Sequence, residues 1–329
     1  MRRASLEWCG YPKGAAGGWA DHRYPPPAVK RRGLGRDIGL AVRMVLALVP
    51  LAVLYLLGLV VALLSFVAVV VDGSWAALLG WFVFAAGVVL VVVNHWLRAE
   101  DLVLRAARGK RVEDEEEPEL RRIVDRVAAM ADVPPPRLAL IRSWAPNALA
   151  AGLRPESATI AVTTELLRRL DEQELEAVVA HELAHIANRD GLVMTFVSGP
   201  AMLGSGMLGS SDGRAQVFYV LLYWPVHLLG LLLLWTISRY REYVADRGAV
   251  VITGAPEHLM SALTKISERE PRGDLRGGAA VSALCIVPAQ RKTRLDAVRR
   301  FEVFMDHPRL EKRLERLSEL ARQLGEPAP

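Results

Sequence analysis

The chain has 329 residues, of which 52% are hydrophobic and 23% charged, and its formal net charge at pH 7 is +5. A composition this apolar predicts that part of the chain lies in a lipid bilayer. Nucleic acid is not an expected partner, because the positive charge is modest and shows no Lys/Arg stripe interleaved with aromatic residues. The two cysteines, Cys9 and Cys285, are far apart and lack metal-type spacing, so we expect no disulfide framework.

The N-terminal part of the chain predicts a tail followed by two membrane helices. Residues 1–40 are rich in Arg, Lys, Gly and Pro and lack periodicity, which is typical of a disordered basic tail. Two uncharged runs, residues 44–71 and 75–93, are each long enough to cross a bilayer, so residues 41–97 are predicted to hold two transmembrane helices. Nine Lys and Arg residues precede the first run, and the turn between the runs has none. The positive-inside rule therefore places the N-terminus, and everything after residue 98, in the cytoplasm.

A second apolar region, residues 191–238, is predicted to form two further membrane segments. Residues 191–211 are uncharged and rich in small residues, which suits close packing of membrane helices. A surface-seated or re-entrant hairpin arm is the alternative for this stretch. Residues 216–238 form the stronger span. Neither His95 nor His227, which lie beside or inside the predicted spans, is expected to bind a metal.

Between the two apolar regions, the sequence is typical of a soluble domain. Helical periodicity runs through residues 119–130, and a short helix is expected at 164–170. Short apolar runs at 138–141 and 159–162 predict strands.

The sequence Ala-His-Glu-Leu-Ala-His-Ile contains an H-E-x-x-H motif. Asp171 as N-cap and Glu174 three residues later predict a capping box that begins a helix here. On such a helix, His181 and His185 lie one turn apart on the same face, so both imidazoles can bind one zinc ion. Glu182 would lie beside that ion, where it can take a proton from the attacking water and pass it to the leaving amine.

Glu242 is the best third ligand, because a site with an open fourth position needs three protein ligands. A surface ion pair with its neighbouring arginines is the alternative. Asp246, one helical turn further on, is placed to accept the other N–H of a ligating histidine. A metzincin would have its third histidine six residues after His185, but that residue is Gly191.

With these residues in place, the chain resembles the HtpX-like membrane zinc metalloproteases, which are related to the CAAX prenyl proteases. The resemblance covers most of residues 40–320 and rests on the H-E-x-x-H segment, the Asn-Arg-Asp behind it and the segment around Glu242. It implies that His181, His185 and Glu242 bind one zinc ion and that Glu182 is the general base. It also implies a protein or peptide substrate and a role in quality control of membrane proteins at the cell (plasma) membrane.

The fold expected from these features is a mainly α, multi-pass membrane protein with a zincin-like α+β cytoplasmic metalloprotease domain. Residues 98–190 would form the first part of that domain, with the H-E-x-x-H helix. Residues 239–329 would form its second part, with the third zinc ligand and a C-terminal helix.

Three further residues are expected to contact the substrate. Asn147 and Ala148 match the family's Asn-Ala before a glycine, and would lie on an edge strand to which an extended peptide adds. His307 lies in a segment that looks like the family's His-Pro motif, where it would stabilise the oxyanion or line the cleft. Alternatively, His307 belongs to a helix N-terminus with Pro308 at the first helical position. Arg313, in the same segment, is a less specific candidate.

Two other function classes stay open. A membrane scaffold or chaperone-like binding protein would keep zinc for structure, and its site would be closed by a fourth protein ligand, usually Cys. A CAAX-type processing protease with a large intramembrane chamber would need more spans than the four counted here.

Overall fold

The computed structural model describes residues 38–113, 116–195, 213–268 and 307–325. These residues are mainly helical, with one four-stranded sheet. The predicted tail up to residue 37, most of the predicted segment 191–211 and both cysteines lie outside the described residues.

Two long apolar helices begin the described chain. Helix α1 spans Ile38–Asp72 and helix α2 spans Trp75–Ala106. They are joined by a turn in which Gly73 has a φ of +69°, a backbone conformation that glycine adopts without steric cost. Residues Leu48–Asp72 and Trp75–Asn94 are long and apolar enough to cross a membrane, and neither stretch is buried by protein. Both predicted apolar helices are therefore present.

Helix α2 continues past residue 98, where the soluble part was predicted to begin, and ends at Ala106. Its last turns are fastened to the sheet through the carboxylate of Glu100. That carboxylate accepts a hydrogen bond from Arg111 at 3.0 Å and another from the hydroxyl of Thr159. The second apolar helix is thus attached directly to the sheet rather than through a flexible linker.

The sheet has the strand order β1-β2-β4-β3. Strands β2 and β4 are parallel and correspond to the two predicted strands, whereas β1 and β3 pair antiparallel at the outer edges. Edge strand β3 was expected around Ala148 from the family resemblance, whereas β1 was not predicted, because Gly-Lys-Arg-Val has neither a β-branched run nor clear alternation. The four strands are β1 at Gly109–Val112, β2 at Arg137–Ile141, β3 at Ala148–Ala151 and β4 at Thr159–Thr163.

The two shorter predicted helices are also confirmed. Helix α3 spans Pro118–Ala131 and buries one apolar stripe, and α4 spans Thr164–Arg169. Asp132, with a φ of +58°, ends α3 in the left-handed conformation. The hydroxyl of Thr163 caps α4 by accepting the backbone N–H of Leu166.

Helix α5 carries the H-E-x-x-H motif and is the most deeply buried helix of the described chain. It spans Glu172–Ala187 and begins at the predicted capping box of Asp171 and Glu174. Nearly every side chain from Glu174 to Ile186 is buried. The helices that follow are α6 at Gly213–Thr253, α7 at Pro256–Ser267 and α8 at Leu310–Leu324.

One hydrophobic core joins chain segments on both sides of the second apolar region. Its members come from α3, the sheet, α5, the end of α6, α7 and α8. Helices α5 and α6 pack closely at Gly248, where a Cβ atom would lie 2.6 Å from the Cβ of Ala184. Only glycine fits at this crossing, and Ala184 lies between the two histidines of the motif.

Helix α6 extends from the core towards α1. It has 41 residues, which at about 1.5 Å per residue gives a length of about 60 Å. Leu233 and Ile237 of α6 are buried in a small cluster with Leu48 of α1 and with Val193. One continuous helix therefore connects the first apolar helix with the core around α5.

Replacing Gly248 with alanine tests the close crossing. The added methyl group forces α5 and α6 apart, so Gly248→Ala should lower the free energy of unfolding by about 1–3 kcal/mol. The measurement is chemical or thermal unfolding of the purified full chain in detergent. Gly87→Ala in α2 is the matched control, because nothing lies within 4 Å of its added Cβ and alanine is favoured over glycine in a helix by about 1 kcal/mol. Equal stability of the two variants would contradict the crossing.

The capping box predicts a pH-dependent contribution to stability. The Glu174 carboxylate accepts hydrogen bonds from Ser261 at 2.6 Å and from the Asp171 backbone at 3.0 Å, and pairs with Lys265. Burial alone would raise the pKa of Glu174, but these partners outweigh it and lower the pKa. Because the pKa is lower in the folded state, the stabilisation is complete above the unfolded pKa and is lost as the pH falls through the folded one.

We therefore expect Glu174→Gln to unfold more easily at pH 7, by about 1–2 kcal/mol. The difference from wild type should shrink only below a pH of about 4.3, the ordinary pKa of glutamate. Unfolding measured across this pH range, with the exposed Glu315→Gln as control, checks the prediction. A difference that is independent of pH would refute the ionised state of Glu174.

Candidate metal centre

The structure brings the three predicted ligands together. His181 and His185 lie on α5 and Glu242 lies on α6, and their ligand atoms are all within 4.8 Å of one another. The two Nε2 atoms are 3.2 Å apart. Glu242 Oε2 lies 3.5 Å from Nε2 of His181, and Oε1 lies 3.6 Å from Nε2 of His185. All three side chains are buried.

These separations fit a metal ion. A tetrahedral ion with bonds of about 2.1 Å holds neighbouring ligand atoms about 3.4 Å apart. The three measured distances, 3.2, 3.5 and 3.6 Å, lie around that value. The Oε2 atom of Glu242 is fully buried and has no hydrogen-bond partner among the described residues. Nη1 of Arg313 lies 3.3 Å from this oxygen without forming a hydrogen bond to it, so a cation bound here would supply the partner that the buried oxygen lacks.

The balance of buried charge also indicates a divalent cation. Four buried carboxylates surround the histidines, and only two buried guanidinium groups accompany them. If the histidines are neutral, the group has a formal charge of −2, which one divalent ion would neutralise. The carboxylates are Glu182, Asp190, Glu242 and Asp246, and the guanidiniums are Arg241 and Arg313.

When no cation is bound, the neighbouring carboxylates change the pKa of His181. Burial alone would lower this pKa, but Asp246 and Glu242 outweigh it and raise it to about 9. Without a metal, the site therefore retains a proton on His181 at neutral pH. Metal binding must displace this proton, because only neutral imidazole is a ligand.

Glu182 lies next to the ligands without touching a hydrogen-bond donor. It is 1% exposed, and neither of its carboxylate oxygens has a hydrogen-bond partner among the described residues. Burial raises the pKa of Glu182 to about 7. A group that titrates near neutral pH can both accept and return a proton, as a general base must.

Asp246 and Arg313 lie behind His181. Oδ1 of Asp246 is 3.1 Å from Nδ1 of His181, on the side of the ring away from the other ligands. Arg313 donates to both oxygens of Asp246, at 2.9 and 2.5 Å, and its Nη1 lies 3.3 Å from Oε2 of Glu242. Asp246 thus lies beside His181, one of the two predicted histidine ligands, as expected. Arg313, the less specific candidate of its segment, thus contacts both Asp246 and Glu242.

His307 also faces the centre. It is 2% exposed, and its Nδ1 lies 3.6 Å from Oε1 of Glu242. The alternative that placed Pro308 at the first helical position is wrong, because α8 begins at Leu310. Arg309, the N-cap residue, has an extended backbone with ψ of 143°, so the helix cannot start earlier.

Asp190 and Arg241 were not predicted as site residues. Oδ2 of Asp190 lies 2.5 Å from Nδ1 of His185 and 3.1 Å from Nε of Arg241. Both residues occur in the segments on which the family resemblance rests, but charge alone did not assign them a role. A charged residue just beyond a helix end, or among other charges, is indistinguishable in sequence from a solvated one.

The predicted substrate residues lie on the edge of the sheet nearest α5. Ala148 is the first residue of edge strand β3. Asn147 is 3% exposed, its backbone N–H donates to Thr163 at 2.8 Å, and its Oδ1 accepts the N–H of Ala148 at 3.0 Å. A cleft between β3 and α5 is lined by Ala150 together with Glu182. The edge strand and the general-base candidate therefore border the same cleft.

The end of this cleft depends on close backbone contact. A Cβ atom on Gly191 would lie 2.2 Å from the carbonyl oxygen of Gly152. No side chain fits at residue 191, the position at which a metzincin carries its third histidine. The structure thus agrees with Glu242 as the third member of the cluster.

Comparison with known proteins matches this arrangement to one family. The model of peptidase family M48 matches residues 114–321. A protease HtpX homolog from Moorella thermoacetica is 38% identical over 90% of this chain and 99% of its own length. A protease HtpX homolog from Streptomyces coelicolor is 38% identical over 89% of this chain and 97% of its own. The crystal structure of S. mikatae Ste24p is a more distant match, with 17% identity and a TM-score of 0.44 over 85% of this chain and 67% of that one.

The matched region contains both histidines of the motif, Glu182, Glu242 and the His307–Arg313 segment. The resemblance to HtpX-like proteases inferred from these motifs is therefore confirmed. Since the family model covers more than half of the sequence and the similar relatives are covered almost completely, the chain belongs to peptidase family M48.

Proposed function

We propose that this M48 peptidase is a membrane-anchored zinc endopeptidase that hydrolyses peptide bonds of misfolded or membrane proteins on the cytoplasmic side. The observation that carries the proposal is the buried triangle of His181, His185 and Glu242 with Glu182 beside it. The relatives named above are described as proteases, which supports an endopeptidase.

Zinc is the proposed metal because the donor set is two imidazoles and one carboxylate. This combination is typical of catalytic zinc sites that keep one position open. The cluster found among the described residues offers three ligands rather than the four of a structural site. A zinc ion held there would polarise the scissile carbonyl and make the attacking water more acidic.

Residues of the chain itself would transfer the proton and position the substrate. Glu182 takes the proton of the attacking water and delivers it to the leaving nitrogen, and its burial keeps competing hydrogen-bond donors away. Edge strand β3, beginning at Asn147 and Ala148, would bind the substrate in an extended conformation. His307, beside Glu242, would stabilise the oxyanion or line the cleft.

Asp246 has a positioning role in this proposal. Because it faces Nδ1 of His181 and is held by Arg313, it would keep the hydrogen of that ring on Nδ1 and leave Nε2 free for the metal.

Membrane anchoring is supported by the two uncovered apolar helices. A core helix of a soluble protein would be mostly buried, whereas the apolar stretches of α1 and α2 are not buried by protein. Helix α6, which packs against α1, is about 60 Å long, about twice the thickness of the hydrocarbon core. It is long enough to span the bilayer and still carry Glu242 outside it. We propose the four-segment topology, with the active site in the cytoplasm, on this length and on the distribution of positive charge.

The split organisation of the metalloprotease domain is proposed on the shared core. Residues of α3 and α5, before the second apolar region, are buried together with residues of α7 and α8, after it. Residues 98–190 and 239–329 would therefore form one zincin-like domain, with residues 191–238 as a membrane insertion.

Glu182→Gln separates metal binding from catalysis. The variant keeps the three ligands but cannot accept a proton, so we expect about one zinc ion per chain and a loss of cleavage of about 100- to 10,000-fold. Bound zinc and hydrolysis of casein are measured on the same detergent-purified sample. Glu176→Gln, on the same helix but paired with Arg126, is the control and should retain both properties.

The remaining outcomes decide between the function classes. If wild type binds zinc but cleaves none of several unfolded or membrane substrates, the non-proteolytic scaffold with a structural zinc site is favoured. If correctly folded wild type binds no zinc, the metal centre is wrong. Full cleavage by Glu182→Gln would exclude Glu182 as the general base.

A further inference from the structure

The ring of His185 has two buried polar neighbours on the side away from the ligand cluster. Oδ2 of Asp190 is 2.5 Å from Nδ1, and Nη2 of Arg241 is 3.5 Å from the same atom. Arg241 also contacts Asp190, with Nε 3.1 Å from Oδ2. The three side chains are 7%, 4% and 2% exposed, so water does not screen their interactions.

The two neighbours favour opposite tautomers of the histidine. An ionised carboxylate only accepts hydrogen bonds, so a bond to Asp190 requires the hydrogen on Nδ1 and leaves the lone pair on Nε2. A guanidinium group only donates, so a bond from Arg241 would require the lone pair on Nδ1 and place the hydrogen on Nε2. The second tautomer cannot bind a metal through Nε2.

The contact distances show which neighbour prevails. The carboxylate of Asp190 lies at hydrogen-bond distance from Nδ1, whereas Nη2 of Arg241 is at the limit of that distance. Arg241 is drawn towards Asp190 through its Nε atom. Asp190 thus takes the hydrogen-bonding position at Nδ1 of His185, and it also forms an ion pair with Arg241.

His181 has a comparable aspartate and arginine, but the contacts that the structure describes for this arginine are with carboxylates. Arg313 binds both oxygens of Asp246 and directs its remaining nitrogen towards Glu242. The structure records a direct arginine contact for the Nδ1 atom of His185, and that contact is with Arg241. The carboxylate beside His185 therefore has two tasks: it orients the ring, and it keeps the competing arginine away from Nδ1.

We propose that Asp190 is a positioning residue that holds His185 in its metal-binding tautomer against the competing donor Arg241. Arg241 in turn fixes Asp190 and, being adjacent to Glu242 in α6, ties the end of α5 to the helix of the third ligand. The inference rests on the zinc centre proposed above. It assigns a function to two residues outside the ligand set and the general base.

The first test is the zinc affinity of Asp190→Asn in the purified full chain, measured by competition with a chromophoric chelator. Loss of the carboxylate releases Arg241 towards Nδ1, so the affinity should fall by about 10- to 100-fold. Raising the zinc concentration should restore most of the casein hydrolysis, because the defect lies in metal binding. Glu174→Gln is the matched control: it also removes a buried carboxylate contact near α5, but it should keep the wild-type zinc affinity.

The second test removes the competing donor. Arg241→Met in the Asp190→Asn background replaces the guanidinium by an apolar chain of similar length. If the competition is real, the double variant should bind zinc more tightly than Asp190→Asn alone, a non-additive result that a double-mutant cycle detects. Recovery of zinc affinity, rather than of stability, distinguishes a positioning role from a structural one.

The outcomes that overturn the inference are distinct from failure of the proposed function. Absence of zinc from folded wild type would remove the metal centre itself. If wild type binds zinc and Asp190→Asn binds it equally tightly, Asp190 does not position His185. If Glu174→Gln loses as much zinc affinity as Asp190→Asn, the loss reflects folding alone. If the double variant binds no more tightly than Asp190→Asn, Arg241 is not a competitor.

Discussion

The structure depends on an excess of negative charge that is buried at the junction of α5, α6 and α8. Carboxylates removed from water must be neutralised, and here two arginines do so only in part. The remaining charge suits a divalent cation, and the residues that could bind one come from helices in distant parts of the sequence. The candidate site and the fold are therefore linked, since α5, α6 and α8, which carry the site residues, also contribute residues to the main hydrophobic core.

The sequence predicted most readily those features that depend on residues close together in the chain. The capping box and the two histidines are local patterns with helical spacing, and both were predicted. Predicting Glu242 as the third ligand also needed the chemical argument that the site has three protein ligands, together with the family resemblance. Strands β2 and β4 are apolar runs bounded by prolines, glycines or polar residues, whereas β3 consists of alanines and one leucine, which favour a helix in isolation and form a strand only through pairing with β4.

The charged residues around the ligands could not be assigned from the sequence alone. Asp190, Arg241 and Arg313 belong to residue types that usually lie at the surface. The neighbouring sequence does not indicate that each of them is buried against a partner far along the chain. Their roles follow only from distances between segments. The same holds for the long apolar helices. Their apolar length could be predicted from the sequence, but the hydrogen bonds of Glu100 to the sheet and the packing of α6 on α1 could not.

The continuity of α6 has a consequence for biosynthesis. During translation the two histidines emerge first, Glu242 follows after the second apolar region, and Arg313 comes last. Because Glu242 is on the helix that packs against α1, its position beside the two histidines is linked to the packing of these apolar segments. A nascent or wrongly inserted chain therefore lacks the assembled centre. The fold therefore links assembly of the candidate metal centre to the packing of α6 on α1.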